Sequence, residues 1–284
     1  MKKIAIITDT DSSISFKEAK ANNIHLVPIM IQFGDTSFRD VFEINNPDTF
    51  SRIDKEGKLP TTAAPSPGQF AEAYKNAFDS GADSVLCFSV SGEISATYTA
   101  ALNACELLPG KDITVVDTRS LTMQQGFMVL AASEAVSNGA SKEEAIAAAL
   151  DVRDRSQLFA ALETLKYLAM SGRVGHLAAG MANMLNVKPI LSIRGGKLEM
   201  LEKIRTKSKS WNRTIELVKE TANGRQVEKM CIVHVNVPEA ALQFENLLRT
   251  NLECPQEITI AELGPGLSIH SGVGMVGVVT VYSR

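Results

Sequence analysis

The hydrophobic pattern changes period repeatedly along this chain. In the first half, short apolar runs at residues 3–8, 84–90 and 113–116 are bounded by polar or turn residues. Such runs predict strands buried on both faces of a sheet. Between them, apolar positions recur every three or four residues. That spacing predicts helices over 15–21, 46–55, 68–81, 121–138 and 141–152, and one carrying Ala101, Leu102, Cys105 and Leu108. Several starts carry capping chemistry: Asn46-Pro-Asp, Ser66-Pro67 and Ser141-Lys-Glu-Glu. Residues 24–33 and 36–41 flank Gly34-Asp35 and predict a hairpin. The prolines of 59–67 predict a stiff extended connection, because each fixes its own φ and biases its predecessor away from helix.

Past about residue 155 the texture differs. Helices are expected over 158–170, 177–185, 207–222 and 238–252. A hairpin is expected from 188–193 and 198–204 around Arg194-Gly-Gly-Lys197, and strands over 230–235, 257–263 and 276–282. Gly264-Pro-Gly opens what reads as a loop through Gly274. The alternation in the first half predicts an α/β domain with a parallel sheet, residues 1–155. The second half predicts an α+β domain on a mixed or antiparallel sheet, residues 156–284.

Composition narrows the function. The chain has 284 residues, 45% of them hydrophobic, enough for a sizeable core. Its net charge is −3 and no basic stripe appears, so a nucleic-acid reader is not expected. Cys87, Cys105, Cys231 and Cys254 are far apart and read as reduced core thiols. The apolar piece after Met-Lys-Lys is too short for a signal-peptide core, and no run approaches a membrane span. A soluble cytoplasmic protein is the expectation.

Candidate chemistry gathers where strands end. In open parallel sheets, ligands sit beyond the carboxyl ends of the strands. Here those ends carry 9–13, 89–97 and 117–120, rich in hydroxyls and acids. Ser91, Ser95 and Thr97 precede a helix whose first amides favour an anion, although Ser95 or Thr97 can equally serve as a cap. Asp9, Asp11 and Asp117 have the chemistry to ligate Mg²⁺, but acids at strand ends more often cap helices or hold loops.

Several segments in register resemble the DegV family of fatty-acid-binding proteins that serve bacterial fatty acid kinase. They are Asp9-Thr-Asp-Ser-Ser13, Thr62-Ala-Ala-Pro-Ser-Pro67, Ile94-Ser-Ala-Thr-Tyr98, Val116-Asp-Thr-Arg-Ser120, Ser171-Gly-Arg-Val174, Val187-Lys-Pro-Ile-Leu191, Lys203-Ile-Arg-Thr206 and Leu263-Gly-Pro with His270-Ser-Gly. The resemblance spans nearly the whole chain. It implies two α/β domains with one fatty acid between them, in a tunnel, its carboxylate held by hydroxyls. Carried over position by position, it implies carboxylate binding by Thr62, with Thr61 adjacent, by Ser95 and the Ala96 backbone, and by His270. Arg205 and His270 are implied at the contact with a separate ATP-using kinase subunit, which would make the acyl-phosphate that feeds phospholipid synthesis. Ala63 and Ala64 stand where the family usually has Ser-Gln, Ala96 where it has Gly, and Val273 where it has Pro. Ala63 removes one hydroxyl from the head-group site the resemblance implies.

The implied ligand makes two demands. A tail of about sixteen carbons gains on the order of 10 kcal/mol if fully enclosed. Candidate linings are Ile29, Met30, Ile31 and Phe33, then Met123, Phe127 and Met128, then Leu165 and Leu168; each is also an ordinary core residue. The carboxylate needs neutral donors, which Thr61, Thr62 and Ser95 supply without clamping it as Arg would. No metal or cofactor is expected. The expected function is a carrier and not a catalyst, with room for transient membrane contact. The alternative is a hydrolase or acyl-transfer enzyme using Ser95 and His270, against which the absence of a G-x-S-x-G elbow counts. For Arg205 the alternative is a surface pair with Glu199 or Glu202.

Overall fold

The computed structural model describes residues 3–173 and 187–284, so the helix expected at 177–185, and His176, lie outside the described residues. The elements run β1 (Ile4–Asp9), a 3-10 turn (Thr10–Ser12), α1 (Phe16–Ala21), β2 (Ile24–Val27), β3 (Met30–Phe33), β4 (Thr36–Arg39), α2 (Asn46–Glu56), β5 (Thr61–Ala63), α3 (Pro67–Asp79), β6 (Ser84–Ser89), α4 (Thr97–Glu106), β7 (Ile113–Asp117), α5 (Thr122–Ser137) and α6 (Lys142–Arg155). They continue β8 (Ser156–Ala161), α7 (Lys166–Met170), β9 (Lys188–Arg194), β10 (Lys197–Ile204), α8 (Lys207–Ala222), β11 (Val227–His234), α9 (Pro238–Asn251), β12 (Thr259–Glu262), α10 (Pro265–Ser271) and β13 (Val276–Tyr282). Two compact units result. The first holds residues up to Glu43 with Thr62–Asp154; the second holds Ile44–Thr61 with the described part of Arg155–Arg284.

The first unit is built on a parallel sheet in the order β2-β1-β6-β7. Side chains alternate across it. Ile7, Val85 and Cys87 pack with Phe70 and Tyr74 of α3 and with Ala101 and Ala104 of α4. Thr8 points the other way, towards Gln125 of α5. Helix α5 is apolar on most sides because it is almost wholly buried. Its neighbour α6 begins with the expected capping box: Glu144 N–H donates to Ser141 Oγ at 3.2 Å, and Ser141 N–H to Glu144 Oε2 at 2.7 Å.

The second unit carries a six-stranded sheet in the order β10-β9-β8-β13-β11-β12, antiparallel except for β11–β12. Trp211 and Ile215 of α8 and Phe244 and Leu248 of α9 pack over Phe159, Ile232 and Val278 of that sheet. The segment Ile44–Thr61 is tied into this unit by Asn46, whose Nδ2 donates to Glu262 Oε1 at 2.9 Å and to the Leu263 carbonyl at 2.7 Å. Phe50 meets Tyr167 edge-to-face at 6.3 Å.

Three expected elements differ. Residues 158–170 are not one helix: Ser156–Ala161 is a strand between β9 and β13, and only Lys166–Met170 is helical. An apolar run buried on every side has no face for periodicity to reveal. Residues 24–33 are not one strand of a hairpin: Pro28 separates β2, which joins the parallel sheet, from β3, which pairs with β4. The stretch after Gly264 is not all loop: Pro265–Ser271 is helical, with Gly264 as N-cap and Pro265 as the first residue, where its missing N–H costs nothing.

Candidate functional site

Strands β1, β6 and β7 are parallel neighbours, so their carboxyl ends deliver Asp9, Ser89 and Asp117 along one edge of the first unit's sheet. Asp9 is the hub there. It is fully buried. Its Oδ2 accepts from Val90 N–H at 2.8 Å; its Oδ1 accepts from Asp11 N–H and Gln125 Nε2, both at 3.1 Å. One carboxylate therefore joins the loop after β1, the loop after β6 and the first turns of α5. Burial lifts its pKa from 3.8 to about 6, and the bonds from the Val90 amide, Gln125 and the Asp11 amide hold it from rising further. Asp117 plays a similar part: its Oδ1 accepts from Gly92 N–H at 3.2 Å and Arg119 N–H at 2.9 Å. These two acids hold loops. Among the described residues no group of three or more His, Cys, Asp or Glu side chains is gathered to hold a metal.

The loop that Asp9 and Asp117 brace carries the hydroxyls. Ser91 is buried, and its N–H donates to the Ser120 carbonyl at 2.9 Å. Ser95 is half-buried; its Oγ lies 2.8 Å from Thr97 Oγ1 and accepts from Thr97 N–H at 3.3 Å. Helix α4 starts at Thr97 with Ala96 in the N-cap position, which has no side chain able to cap. Capping and ligand binding are compatible here. Two hydroxyls facing each other share one proton between them and leave the other to donate outward. Ala96 has φ −72° and ψ 0°, an ordinary helical conformation, so the alanine imposes no backbone strain at this position. On β5, Thr62 is half-buried and Thr61 exposed.

The apolar candidates divide between the units. In the first, Ile29, Ile31, Phe33, Met123, Phe127 and Met128 are buried, and half-buried Met30 accepts at its sulfur from Gln69 Nε2 at 3.4 Å. In the second, Leu165 and Leu168 are buried at the start of and within α7. Burial alone fits both a tail lining and ordinary core.

His270 stands near the end of α10 in the second unit, on a helix where a loop was expected. Burial, and then the positive charge of Arg173, push its pKa down to about 3. At neutral pH it is an uncharged imidazole, able to donate one N–H. Gly272 ends that helix with φ +81°, and a Cβ there would lie 2.3 Å from Tyr167 Cδ2. Arg205, just after β10, is exposed and forms no ion pair with a described residue. The two acids weighed as its partners are engaged elsewhere: Glu202 with Arg213 at 2.8 Å, Glu199 with Arg194 at 3.9 Å. The residue that sequence reasoning missed is Gln125. A polar residue in the first turn of a helix looks solvated, and nothing local marks it as the partner of Asp9.

A parallel-sheet unit with hydroxyl-bearing strand ends, joined in one chain to a unit on a mixed sheet, defines a two-unit α/β protein. The family model described as "Uncharacterised protein, DegV family" matches residues 3–283, and the chain belongs to that family. A DegV domain-containing protein of Streptomyces coelicolor is 32% identical over 278 residues, 98% of each chain. Among solved structures, a DegV family protein from Thermus thermophilus, described for its fatty acid binding, superposes with a TM-score of 0.91 at 28% identity, over 99% of this chain and 100% of that one. DegV of Bacillus subtilis, described as a fatty acid binding protein, gives a TM-score of 0.89 at 26% identity over the full length of both. Among the described residues, no helix is long and apolar enough to cross a membrane.

Proposed function

We propose that this protein binds a long-chain fatty acid and carries it as the substrate-presenting partner of a separate ATP-dependent kinase. The observation that carries this is the Ser95–Thr97 hydroxyl pair, 2.8 Å apart on a loop braced by two acids, in a chain that superposes over its length on two proteins described as fatty acid binders. The proposed carboxylate donors are Thr61, Thr62, Ser95, the Ala96 main chain and neutral His270. All are uncharged, which suits an oxygen that must later attack a phosphorus. The proposed tail contacts are Ile29, Met30, Ile31, Phe33, Met123, Phe127, Met128, Leu165 and Leu168. Arg205 is the proposed contact with the kinase or its phosphates.

The hydrolase alternative needs His270 to take a proton from a serine. With its pKa pushed down to about 3, it is a weak base for that task at neutral pH. The test is organic extraction of the protein as purified from cells, followed by mass analysis of the extract. A stoichiometric fatty acid is expected; a protein that arrives without lipid and takes up none when offered it refutes the proposal.

A further inference from the structure

We propose that the Asn223-Gly224 bond, at the carboxyl end of α8, is a site of spontaneous isoaspartate formation, and that the fold shields the chain's other Asn-Gly bond, Asn138-Gly139. The sequence holds these two Asn-Gly pairs and no others. All four residues are exposed, and both pairs follow a helix: Asn223 caps α8 and Asn138 caps α5. The dipeptide alone therefore does not rank them.

In the reaction the glycine nitrogen attacks the asparagine side-chain carbon Cγ. A bond forms between them, the Cγ–Nδ2 bond breaks, and ammonia leaves with the amide proton. The product is a cyclic succinimide, which water then opens. Opening at the main-chain carbonyl routes the chain through the side chain, as isoaspartate; opening at Cγ leaves aspartate. Water is the one co-reactant. Glycine favours the step because it has no Cβ to block the attack.

The peptide plane between the two residues must turn first. Asn223 has ψ +46° and Asn138 has ψ 6°, and both values hold the next nitrogen away from the side chain. What opposes the turn differs between them. Gly139 N–H donates to the Val136 carbonyl at 3.0 Å, and Ala140 N–H to the Ala135 carbonyl at 3.0 Å, so turning that plane breaks a hydrogen bond. At α8 only the flanking amides are held: Asn223 N–H by the Lys219 carbonyl at 3.2 Å, and Arg225 N–H by the Ala222 carbonyl at 2.9 Å. Neither the Asn223 carbonyl nor the Gly224 N–H bonds to a described residue. The plane can swing between fixed ends, through Asn223 ψ and Gly224 φ. Gly224 has φ +83° and nothing within 4 Å of the place a Cβ would take, so no neighbour resists the swing. One net hydrogen bond corresponds to a rate difference of about fivefold.

The product alters how α8 ends. Isoaspartate adds a methylene to the chain just before Arg225, whose guanidinium donates to the carbonyls of Thr221 at 3.0 Å and Ala222 at 3.2 Å and lies 5.0 Å from the Tyr282 ring centre. It also sets a new carboxylate at the negative end of the helix, where the macrodipole disfavours it. The last turn of α8 is loosened by both.

The experiment ages the full chain for weeks in mildly alkaline buffer and maps its tryptic peptides by mass and chromatography. The peptide Glu220–Arg225 should gain the mass of an amide exchanged for a hydroxyl and split into isoaspartyl and aspartyl forms, about fivefold faster than the peptide holding Asn138. Asn223→Gln should abolish the isoaspartyl signal in its peptide. Protein aged in urea is the second measurement: with the fold removed, the two sites should convert at nearly equal rates. Equal rates in the folded protein, or a faster Asn138, overturn the proposal. So does a fivefold difference that persists in urea, because it would then belong to the flanking sequence and not to the fold. Equal amide hydrogen exchange of fresh and aged protein over Thr221–Arg225 overturns the loosening of α8.

Discussion

Asp9→Asn should change stability by an amount that depends on pH. In the folded protein the Asp9 pKa is raised from 3.8 to about 6, chiefly by burial. Between those values the folded state binds more protons than the unfolded state. The contribution of Asp9 to stability is therefore fully present below about pH 4 and is lost as the pH rises through 6. A shift of about two units corresponds to about 3 kcal/mol. Asparagine removes this dependence, since it is uncharged in both states. It also removes an acceptor. Three donors converge on Asp9, from Val90, Asp11 and Gln125, on two oxygens. An amide offers one oxygen, so at least one buried donor goes unmet, at a cost of about 1–3 kcal/mol.

The two effects oppose each other above pH 6 and not below pH 4. The variant should be less stable than the parent by about 1–3 kcal/mol in acid, and close to the parent at pH 7–8. Urea unfolding of both proteins at intervals from pH 4 to pH 8 measures the difference, and subtracting the two curves cancels every other titrating group. A stability difference that does not vary with pH would show that Asp9 ionises at its ordinary value, and would refute burial as a force that holds its proton on.

Ser95→Ala and Thr62→Val should each weaken fatty-acid binding about 10–100-fold, the loss of one hydrogen bond to a carboxylate, measured by titration of delipidated protein; unchanged affinity removes that residue from the site. Arg205→Ala should leave that affinity unaltered and slow acyl-phosphate formation in an assay with the purified kinase subunit. Gly272→Ala should destabilise by about 2 kcal/mol or more, because the new methyl meets the Tyr167 ring from a left-handed backbone position, and urea unfolding reads it. His270 acts oppositely to Asp9: its pKa is depressed from 6.5 to about 3, so its contribution is present above pH 6.5 and is lost as the pH falls towards 3. The stability of His270→Gln relative to the parent should therefore rise as the solution is made more acid.

What could be read from the sequence was local chemistry. The Ser141–Glu144 capping box, the Ser66-Pro67 helix start and the turn at Arg194–Lys197 involve residues within a few positions of one another, and the structure places them as the residues alone suggested. The three strand ends rich in hydroxyls and acids also lie on the neighbouring strands β1, β6 and β7 of one parallel sheet, whose carboxyl ends share an edge. Local patterns became ambiguous where burial was complete. Ser156–Ala161 lies in the middle of a sheet, so its side chains show no polar face, and a run of that kind fits helix and strand equally.

The remaining features rest on partners far apart in sequence. Asn46 is 216 residues from Glu262, and that pair is one of the contacts that tie Ile44–Thr61 into the second unit; the proline and asparagine near its start announce a helix but not where it docks. Asp9 is 81 residues from Val90 and 116 from Gln125. An acid after a strand can cap, ligate or bind, and only the donors that reach it select among these. The same holds for Ser95. Its hydroxyl follows from the sequence, but its orientation does not: Ser95 donates outward when Thr97 is the donor of the bond between them, and Asp9 and Asp117 hold the loop that sets this geometry. Binding strength at such a loop should therefore respond to the residues that brace it as well as to those that touch the ligand. Affinity lost on Asp9→Asn, with Ser95 and Thr62 intact, would distinguish a held loop from one that closes only around its ligand.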